Sequence, residues 1–486
     1  LDWNAFIRVY LQVPKKSLNT FKMKIAKIKW KGHPILGDLE LDFTNKEGIP
    51  YDTIIFAGEN GTGKTTVLTS ISDFLNGYSI DFEYIEYQID NEIYRAIPPT
   101  QESYDGYYKL LLPDKKTIIE VNSGKNRSGG STYDLNIDKD SMNIRFYGCV
   151  FSKARADYRT NKITGTTTKQ LDIENKDIDT EDNFTSIKQL LVDIEGEDNA
   201  KFKEDSKERE ELGNTPIYWS DFNPSSKMYR FSNAFDNFFE NKIKYSKIEN
   251  NSAEKIILFK KYGRDISIDN LSTGEKQIVF RGAFLLRNLQ KMRGGTIFID
   301  EPELSMHPKW ERKILQYYKD LFTEDRELKS QLFIATHSEY VLKEALSQNK
   351  ENENNLVIVL KDDSGQIKGN KIDSLPLFLP SITSAEVNYH AFDIPSIDYH
   401  IELYGTLQKR FNLRTVKKCD KFIKESNFYN QGIHYKEWRF KTTIYETLPS
   451  YIRNSIDHPD SDANQGFDEC ELRKSITLLQ NLLRME

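Results

Sequence analysis

Apolar and polar residues alternate over 23–43 (MKIAKIKWKGHPILGDLELDF) around a glycine-containing break, which predicts two antiparallel strands opening a β-rich lobe. The apolar run 53–57 then enters a glycine-rich loop and a helix starting near Lys64, a strand-loop-helix unit. Over about 79–147, short aromatic and β-branched runs (FEYIEY, YYKLLL, TIIEV, NIRFYG) alternate with turn-forming clusters, predicting a β-rich insertion with a mobile tip. The stretch from about 165 to 254 is charged and reads as mainly helical (SIKQLLVDIEG, SNAFDNFFENKIKY), and it is too short for a long coiled-coil arm. Helix and strand alternate again over 271–361, with TIFID, QLFIAT and NLVIVL as buried strands, so the first domain closes as α/β. After Pro395 the pattern is helical to the end. Ile397, Ile401, Tyr404, Leu407 and Phe411 share one predicted face, and Leu472, Ile476, Leu479 and Leu483 share another. The expected organisation is an extension over 1–22, an α/β domain over 23–390 and a small helical domain over 391–486.

With 486 residues the chain can hold two or three domains with insertions. Its 38% hydrophobic and 29% charged residues suit a globular protein rather than a disordered one. A net charge of -6 argues against a uniformly basic nucleic-acid binder and leaves polyphosphate contact to local patches. Cys149, Cys419 and Cys470 lie far apart without a CxxC pair, which disfavours a disulfide framework or a zinc site and fits a reducing cytoplasm. No run of 18 or more apolar residues and no basic-apolar leader is present, so the expectation is a cytoplasmic protein without a membrane partner. Residues 1–22 lack methionine and precede Met23, and they read as an extension or expression remnant.

The chemistry is concentrated in the α/β domain. Residues 58–65, GENGTGKT, follow a predicted strand and open a helix, as a phosphate loop must. Backbone N–H groups of Gly58, Glu59, Asn60, Gly61, Thr62 and Gly63 can approach phosphates closely because the glycines leave room. Lys64 adds charge, Thr65 offers a hydroxyl to Mg²⁺, and Thr66 continues the helix N-terminus. TIFIDEPE over 296–303 ends a buried strand with two consecutive carboxylates. Asp300 is expected to hold Mg²⁺, and Glu301 to polarise an attacking water. LSTGEKQ over 271–277 brings Ser272, Gly274 and Glu275 before a long helix, which by itself is also an ordinary capping-box start. IATHS places His337 just after a buried strand.

These four motifs in this order resemble the ABC-type ATPases, and ELSMHP over 303–308 resembles the dimer-contact loop of their SMC-like and OLD-like branches. The resemblance covers roughly 23–361. It implies ATP and Mg²⁺ as cofactors, His337 as the switch histidine at the γ-phosphate, and a head-to-tail homodimer in which Ser272, Gly274 and Glu275 reach the ATP of the partner. The glutamine lid of the family is not assignable. FSKARADYRT offers Arg155 and Arg159 as a basic contact in its place or as solvated residues.

Near the end, LPSYIRNSIDHP spaces Arg453, Asn454 and His458 in a way that resembles the R-polar-x3-H motif of HEPN ribonucleases, inside a helical block of fitting size. The resemblance implies metal-independent cleavage of RNA. Arg453 would stabilise charge on the scissile phosphate, His458 would exchange the proton, Asn454 would orient the phosphate, and Glu402 is a further polar candidate. The alternative left open is structural: Arg453 pairs with an acid such as Asp457, and His458 caps a helix. Lys409, Arg410, Arg414, Lys417, Lys418, Lys421 and Lys424, opposed mainly by Asp420, would track RNA phosphates or form a solvated face. An ABC-type head joined to a HEPN-like tail resembles bacterial anticodon nucleases of the PrrC and RloC kind, defence effectors restrained by their ATPase part. The competing expectation is an ATPase sensor or scaffold similar to the Septu PtuA component, which regulates a separately encoded nuclease.

Overall fold

The protein is described from a computed structural model, over residues 22–99, 107–121, 142–154, 176–178, 185–250, 254–286, 294–324, 327–349, 355–372 and 377–485. Residues 1–21, like Arg155 and Arg159, lie outside the described residues. The chain divides into two compact units. The first runs to Glu344 and includes Asn352–Lys371, and the second comprises Ala345–Glu351 and Ile372–Glu486.

In the first unit, β1 (Met23–Trp30) and β2 (Glu40–Asp42) pair antiparallel, as the alternation predicts. The chain crosses to a second sheet with β3 (Thr53–Ala57) and helix α1 (Lys64–Leu75), then returns with β4 (Phe82–Ile89), β5 (Glu92–Ile97), β6 (Tyr108–Leu111) and β7 (Ile118–Val121). The first sheet has the order β2-β1-β4-β5-β6-β7, so the predicted β-rich insertion continues the opening lobe by direct pairing of β1 with β4. Its inner face merges with the core under β3 and α1, where Trp30, Phe43, Phe74, Tyr87 and Tyr108 are buried.

Strands β8 (Cys149–Ser152) and β9 (Lys176–Ile178) follow, and helices α2 (Thr185–Glu211) and α3 (Lys227–Phe238) make up the helical stretch. Its end departs from the sequence reading. NKIKY is not helical: β10 (Ile243–Asn250) pairs with β11 (Lys255–Lys261), which pairs with β12 (Arg264–Ser267). Left-handed Glu240 and Asn241 terminate α3 and turn the chain, so the apolar residues after them fall into a two-residue period. Helix α4 (Thr273–Leu286), β13 (Thr296–Asp300), helix α5 (Pro308–Phe322), β14 (Gln331–Ala335), helix α6 (Glu339–Gln348), β15 (Asn355–Asp363) and β16 (Gln366–Ile372) follow, with Ala345–Gln348 of α6 and Ile372 of β16 already in the second unit.

The second sheet has the order β16-β15-β3-β14-β13-β8-β9, and β15, β3, β14, β13 and β8 are parallel. Every residue of β3, β13 and β14 is buried, which explains why these strands read as continuous apolar runs rather than alternating ones. The parallel arrangement brings the C-terminal ends of β3, β13 and β14 to one edge, where open α/β sheets carry their ligands. The expected α/β phosphate-loop fold is thus present.

The second unit holds helices α7 (Ser384–Phe392), α8 (Ile397–Arg410), α9 (Val416–Glu425), α10 (Leu448–Asp457) and α11 (Glu469–Leu483). Two details correct the reading of periodicity. Between α9 and α10 lies an antiparallel hairpin of β17 (Tyr435–Phe440) and β18 (Thr443–Thr447). The buried face of α8 is Tyr399, His400, Leu403, Tyr404 and Leu407, leaving Ile397 and Ile401 exposed at 43% and 39%. Tyrosine and histidine bury apolar ring area when their polar tips find partners, so an apolar-only stripe misplaced this face by part of a turn. Leu472, Ile476, Leu479 and Leu483 of α11 are buried together as expected.

Candidate active site

The loop after β3 has the backbone of an anion cradle. Gly58, Gly61 and Gly63 have φ of 134°, 85° and 85°. A Cβ on Gly58 would lie 2.2 Å from the Leu360 carbonyl oxygen, and one on Gly63 would lie 2.8 Å from Leu36 Cδ2. Only glycine fits both the dihedrals and the packing. Gly63 caps α1 without a side-chain acceptor, so the first N–H groups of the helix remain directed toward a ligand. Thr62 is held by its hydroxyl donating to the Glu59 carbonyl at 2.8 Å, while Glu59 and Asn60 are exposed at the tip. Lys64 curls back over the loop and donates to the carbonyls of Gly58 and Glu59, both at 2.8 Å. Burial lowers its pKa to about 8, against the opposing pull of Glu301, Asp300 and Glu303.

Thr65, at the first turn of α1, meets Asp300, at the end of β13, across a sequence separation of 235 residues. Its hydroxyl lies 3.0 and 3.1 Å from the two carboxylate oxygens. Burial raises the Asp300 pKa, and the neighbouring Glu301 adds to the rise. A hydroxyl and a largely buried carboxylate are both hard oxygen donors, and the pair suits a divalent cation. Glu301 sits beside it in the left-handed region, with φ 44°. His337, after β14, places Nε2 3.4 Å from Glu301 Oε1. Burial and then Lys64 depress the His337 pKa, so the neutral ring is favoured. Strand order makes this meeting possible, since β14 lies between β3 and β13 and delivers His337 between the phosphate loop and the acidic pair.

The segment 271–277 caps its own helix. Ser272 N–H donates to Glu275 Oε2 at 2.9 Å, Glu275 N–H lies 3.4 Å from Ser272 Oγ, and Lys261 pairs with Glu275 at 2.8 Å. This is the reciprocal cap anticipated from the residues, and it leaves Ser272 exposed. Gly274 packs where a Cβ would come within 3.1 Å of the Ser305 carbonyl and of the Trp310 ring.

Two residues to which the motifs assigned no individual role, Arg281 and Glu303, hold the site together. Arg281 of α4 is 1% exposed. Its guanidinium donates to Ser152 Oγ and O at 2.9 Å each, to Asp300 O at 2.6 Å and to Glu301 O at 2.9 Å. A lone charge inside the apolar run IVFRGAFLL was the signal, because a charge there must be buried and fully bonded. Glu303 accepts from Thr336 Oγ1 at 2.8 Å and from His337 N–H at 2.7 Å. Burial pushes its pKa up to about 7.

In the second unit, the three residues of the candidate RNA site have different surroundings. Arg453 forms an ion pair with Asp457 at 2.6 Å and donates to Asn454 Oδ1 at 3.1 Å. Asn454 is buried, and its Nδ2 lacks a partner among the described residues. His458 is the exposed C-cap of α10 and stacks on Phe440. The adjoining chain carries Asp457, Asp460 and Asp462, which disfavours a phosphate there. Glu402 accepts from Thr383 at 2.7 Å. In the basic cluster, Asp420 turns inward to bond the backbone of Glu446 and Thr447, Lys424 pairs with Glu446, and Arg410 bonds the Leu483 and Met485 carbonyls. Lys417, Lys418 and Lys421 are exposed. Among the described residues no group of three or more His, Cys, Asp or Glu forms a metal cluster, and no helix is long and apolar enough to cross a membrane.

A family model described as "AAA domain, putative AbiEii toxin, Type IV TA system" matches residues 54–343. The "Retron Vc95 probable ATPase" of Vibrio cholerae serotype O1 biovar El Tor is 34% identical over 97 residues, which is 18% of this chain and 18% of the relative. Similar solved structures include an SMC head bound to the C-winged helix domain of ScpA, with TM-score 0.40, 16% identity and coverage of 72% of this chain and 98% of that one. The SMC head domain from Thermotoga maritima has TM-score 0.34 and 14% identity, covering 72% of this chain and all of that one.

Proposed function

Since the chain belongs to the AAA-domain family described as the putative AbiEii toxin of type IV toxin–antitoxin systems, we propose that it is a defence ATPase that binds Mg·ATP at the edge of its parallel sheet and hydrolyses it. The observation that carries this reading is the juxtaposition of Thr65 with Asp300 and of Glu301 with His337 at the mouth of a glycine cradle. The phosphate chain would lie over the N–H groups of the loop, displacing Lys64 from the carbonyls it now holds. Mg²⁺, held by Thr65 and Asp300, would supply charge neutralisation at the β- and γ-phosphates. Glu301 would orient and deprotonate the attacking water, and neutral His337 would donate to the γ-phosphate. Thr66 and the Gly61–Thr62 turn complete the cradle.

The exposed Ser272 and the cap behind it suit contact with a nucleotide outside this chain, in keeping with a head-to-tail homodimer of two composite sites. ATP then sets how two chains face each other. The Vibrio cholerae retron ATPase, similar over a short stretch, supports placing the protein in anti-phage immunity. Within that role the second unit is an assembly surface for a separately encoded nuclease or regulator. Neutralisation of Arg453 by Asp457 and the acidic chain around His458 favour this over a built-in ribonuclease. The ribonuclease reading keeps Arg453, Asn454 and His458 as its residues, RNA as its substrate and the same dimer as its frame.

Cells expressing the wild type, Glu301→Gln or the Arg453→Ala/His458→Ala pair distinguish the two when phage plating and transfer-RNA integrity are measured together. Protection lost in Glu301→Gln and retained in the pair supports the scaffold. RNA cleavage abolished in the pair alone supports the ribonuclease. Full ATP turnover and protection in Glu301→Gln refute the proposed hydrolytic site.

A further inference from the structure

The loop following Glu301 is bonded on two sides. On one side, Gln277 of α4 donates its Nε2 to the Pro302 carbonyl at 3.2 Å, and Gly274 at the start of α4 leaves space for the Ser305 carbonyl. On the other, Glu303 Oε1 accepts both the Thr336 hydroxyl and the His337 peptide N–H. The second oxygen, Oε2, is shut off from solvent and has no hydrogen-bond partner among the described residues. One carboxylate oxygen thus makes every bond of this side chain to the segment that carries His337, and the other makes none. Left-handed backbone at Glu301 and Ser305, with φ 44° and 62°, brackets the loop and fixes its path.

We propose that Glu303 is a positioning residue for ATP hydrolysis: it holds the 336–337 peptide so that His337 stays beside Glu301, and it carries to His337 any movement of the α4 start. The inference rests on the reading that Glu301 and His337 serve hydrolysis. Glu303 touches neither phosphate nor water in this role. What it supplies is one hydrogen-bond acceptor at a fixed reach. Both donors are neutral groups that share one oxygen, so an amide oxygen at the same place can accept the same two hydrogen bonds, though less strongly than a carboxylate. A residue at the start of α4 that engages a nucleotide on the partner would shift Pro302 through Gln277, and Glu303 would pass that shift to the switch histidine within the same chain.

The role separates acceptor, charge and reach. Glu303→Gln keeps an acceptor oxygen at the same distance and removes the charge. Glu303→Asp keeps the charge and withdraws the oxygen by one methylene, and Glu303→Ala removes both. With the full chain and Mg·ATP, kcat is expected to stay within about threefold of wild type for Gln, to fall at least tenfold for Asp and to fall further for Ala. The Kd for a fluorescent ATP analogue is expected to change less than about threefold in all three, because the phosphate loop is untouched. In a His337→Ala background, Glu303→Ala is expected to lower kcat by less than about twofold more, because it acts through that residue. Gln as damaging as Ala, Asp as active as wild type, or fully multiplicative effects with His337→Ala would each overturn the proposal. Glu301→Gln, assayed alongside, tests the underlying assignment by itself: undiminished turnover there removes Glu301 from the chemistry whatever the Glu303 series returns. If Ala does not fold, the Gln and Asp pair still decides the matter.

Discussion

Replacing Arg281 by methionine keeps most of the volume and removes the guanidinium that joins α4, β8 and β13. The side chain is 1% exposed, and its four hydrogen bonds end on Ser152 Oγ, Ser152 O, Asp300 O and Glu301 O. Methionine leaves three carbonyl oxygens without their donors in a buried setting. At the lower end of the cost of an unsatisfied buried polar group, about 1 kcal/mol each, the loss is about 3 kcal/mol. Relief of burying the Arg charge offsets part of this, and lost packing around the thioether adds back a similar amount. With a urea dependence of about 3 kcal/mol per molar, the unfolding midpoint of this unit should fall by about 1 M. The kinetic effect should exceed the effect on binding. Two of the three released carbonyls belong to Asp300 and Glu301, whose backbone is held in the left-handed region at Glu301, so kcat should fall at least about tenfold while the Kd for ATP moves less than about threefold. Urea unfolding followed by circular dichroism, together with coupled-enzyme turnover and nucleotide titration, measures all three. Arg281→Lys should lie between, because an ammonium cannot serve four acceptors in a planar fork. A midpoint within about 0.2 M of wild type with kcat within twofold would refute this account of how the acidic pair is held.

Three further outcomes follow from the site. Gly58→Ala forces a Cβ to 2.2 Å from a backbone oxygen at φ 134°, and calorimetric titration should find ATP affinity lowered at least about 100-fold; a change under fivefold would contradict the cradle geometry. Thr65→Val removes the hydroxyl beside Asp300 and should raise the Mg²⁺ concentration for half-maximal turnover about tenfold, leaving metal-free nucleotide binding within threefold; an unchanged Mg²⁺ titration would remove Thr65 from the metal site. Glu303 has a folded pKa raised to about 7 from 4.5, so the folded state keeps a proton that the unfolded chain releases between these values, and stability from this group is present below about pH 4.5 and lost as pH rises through 7. Glu303→Gln lacks that loss, so its melting temperature relative to wild type should rise from pH 4.5 to pH 7.5; a pH-independent difference would contradict the burial argument.

The residues alone determined the phosphate loop, the acidic strand end and the α/β class, because each rests on local chemistry. Glycines at 58, 61 and 63 announce positive φ, adjacent carboxylates close the apolar run TIFID, and runs too apolar to alternate announce strands covered on both faces. The reciprocal cap of Ser272 and Glu275 was equally legible, since both partners lie three residues apart. What depended on tertiary structure is what joins distant segments. Nothing in the order of motifs says that Thr65 meets Asp300, that β14 lies between β3 and β13, or that Glu303 binds the peptide of His337. The β10 strand and the β17–β18 hairpin escaped the periodicity because charged and aromatic residues on short exposed strands fit either period, and sheet pairing then decides. In α8 the buried histidine and tyrosines displaced the predicted stripe, since polar tips can be buried only where Ser475, Ser450 and Gln480 are brought to meet them. For Arg453 and His458, spacing left two chemistries open. Whether the arginine faces a phosphate or Asp457 is set by helix geometry and surrounding charge, and in this chain the i,i+4 carboxylate is the partner it holds.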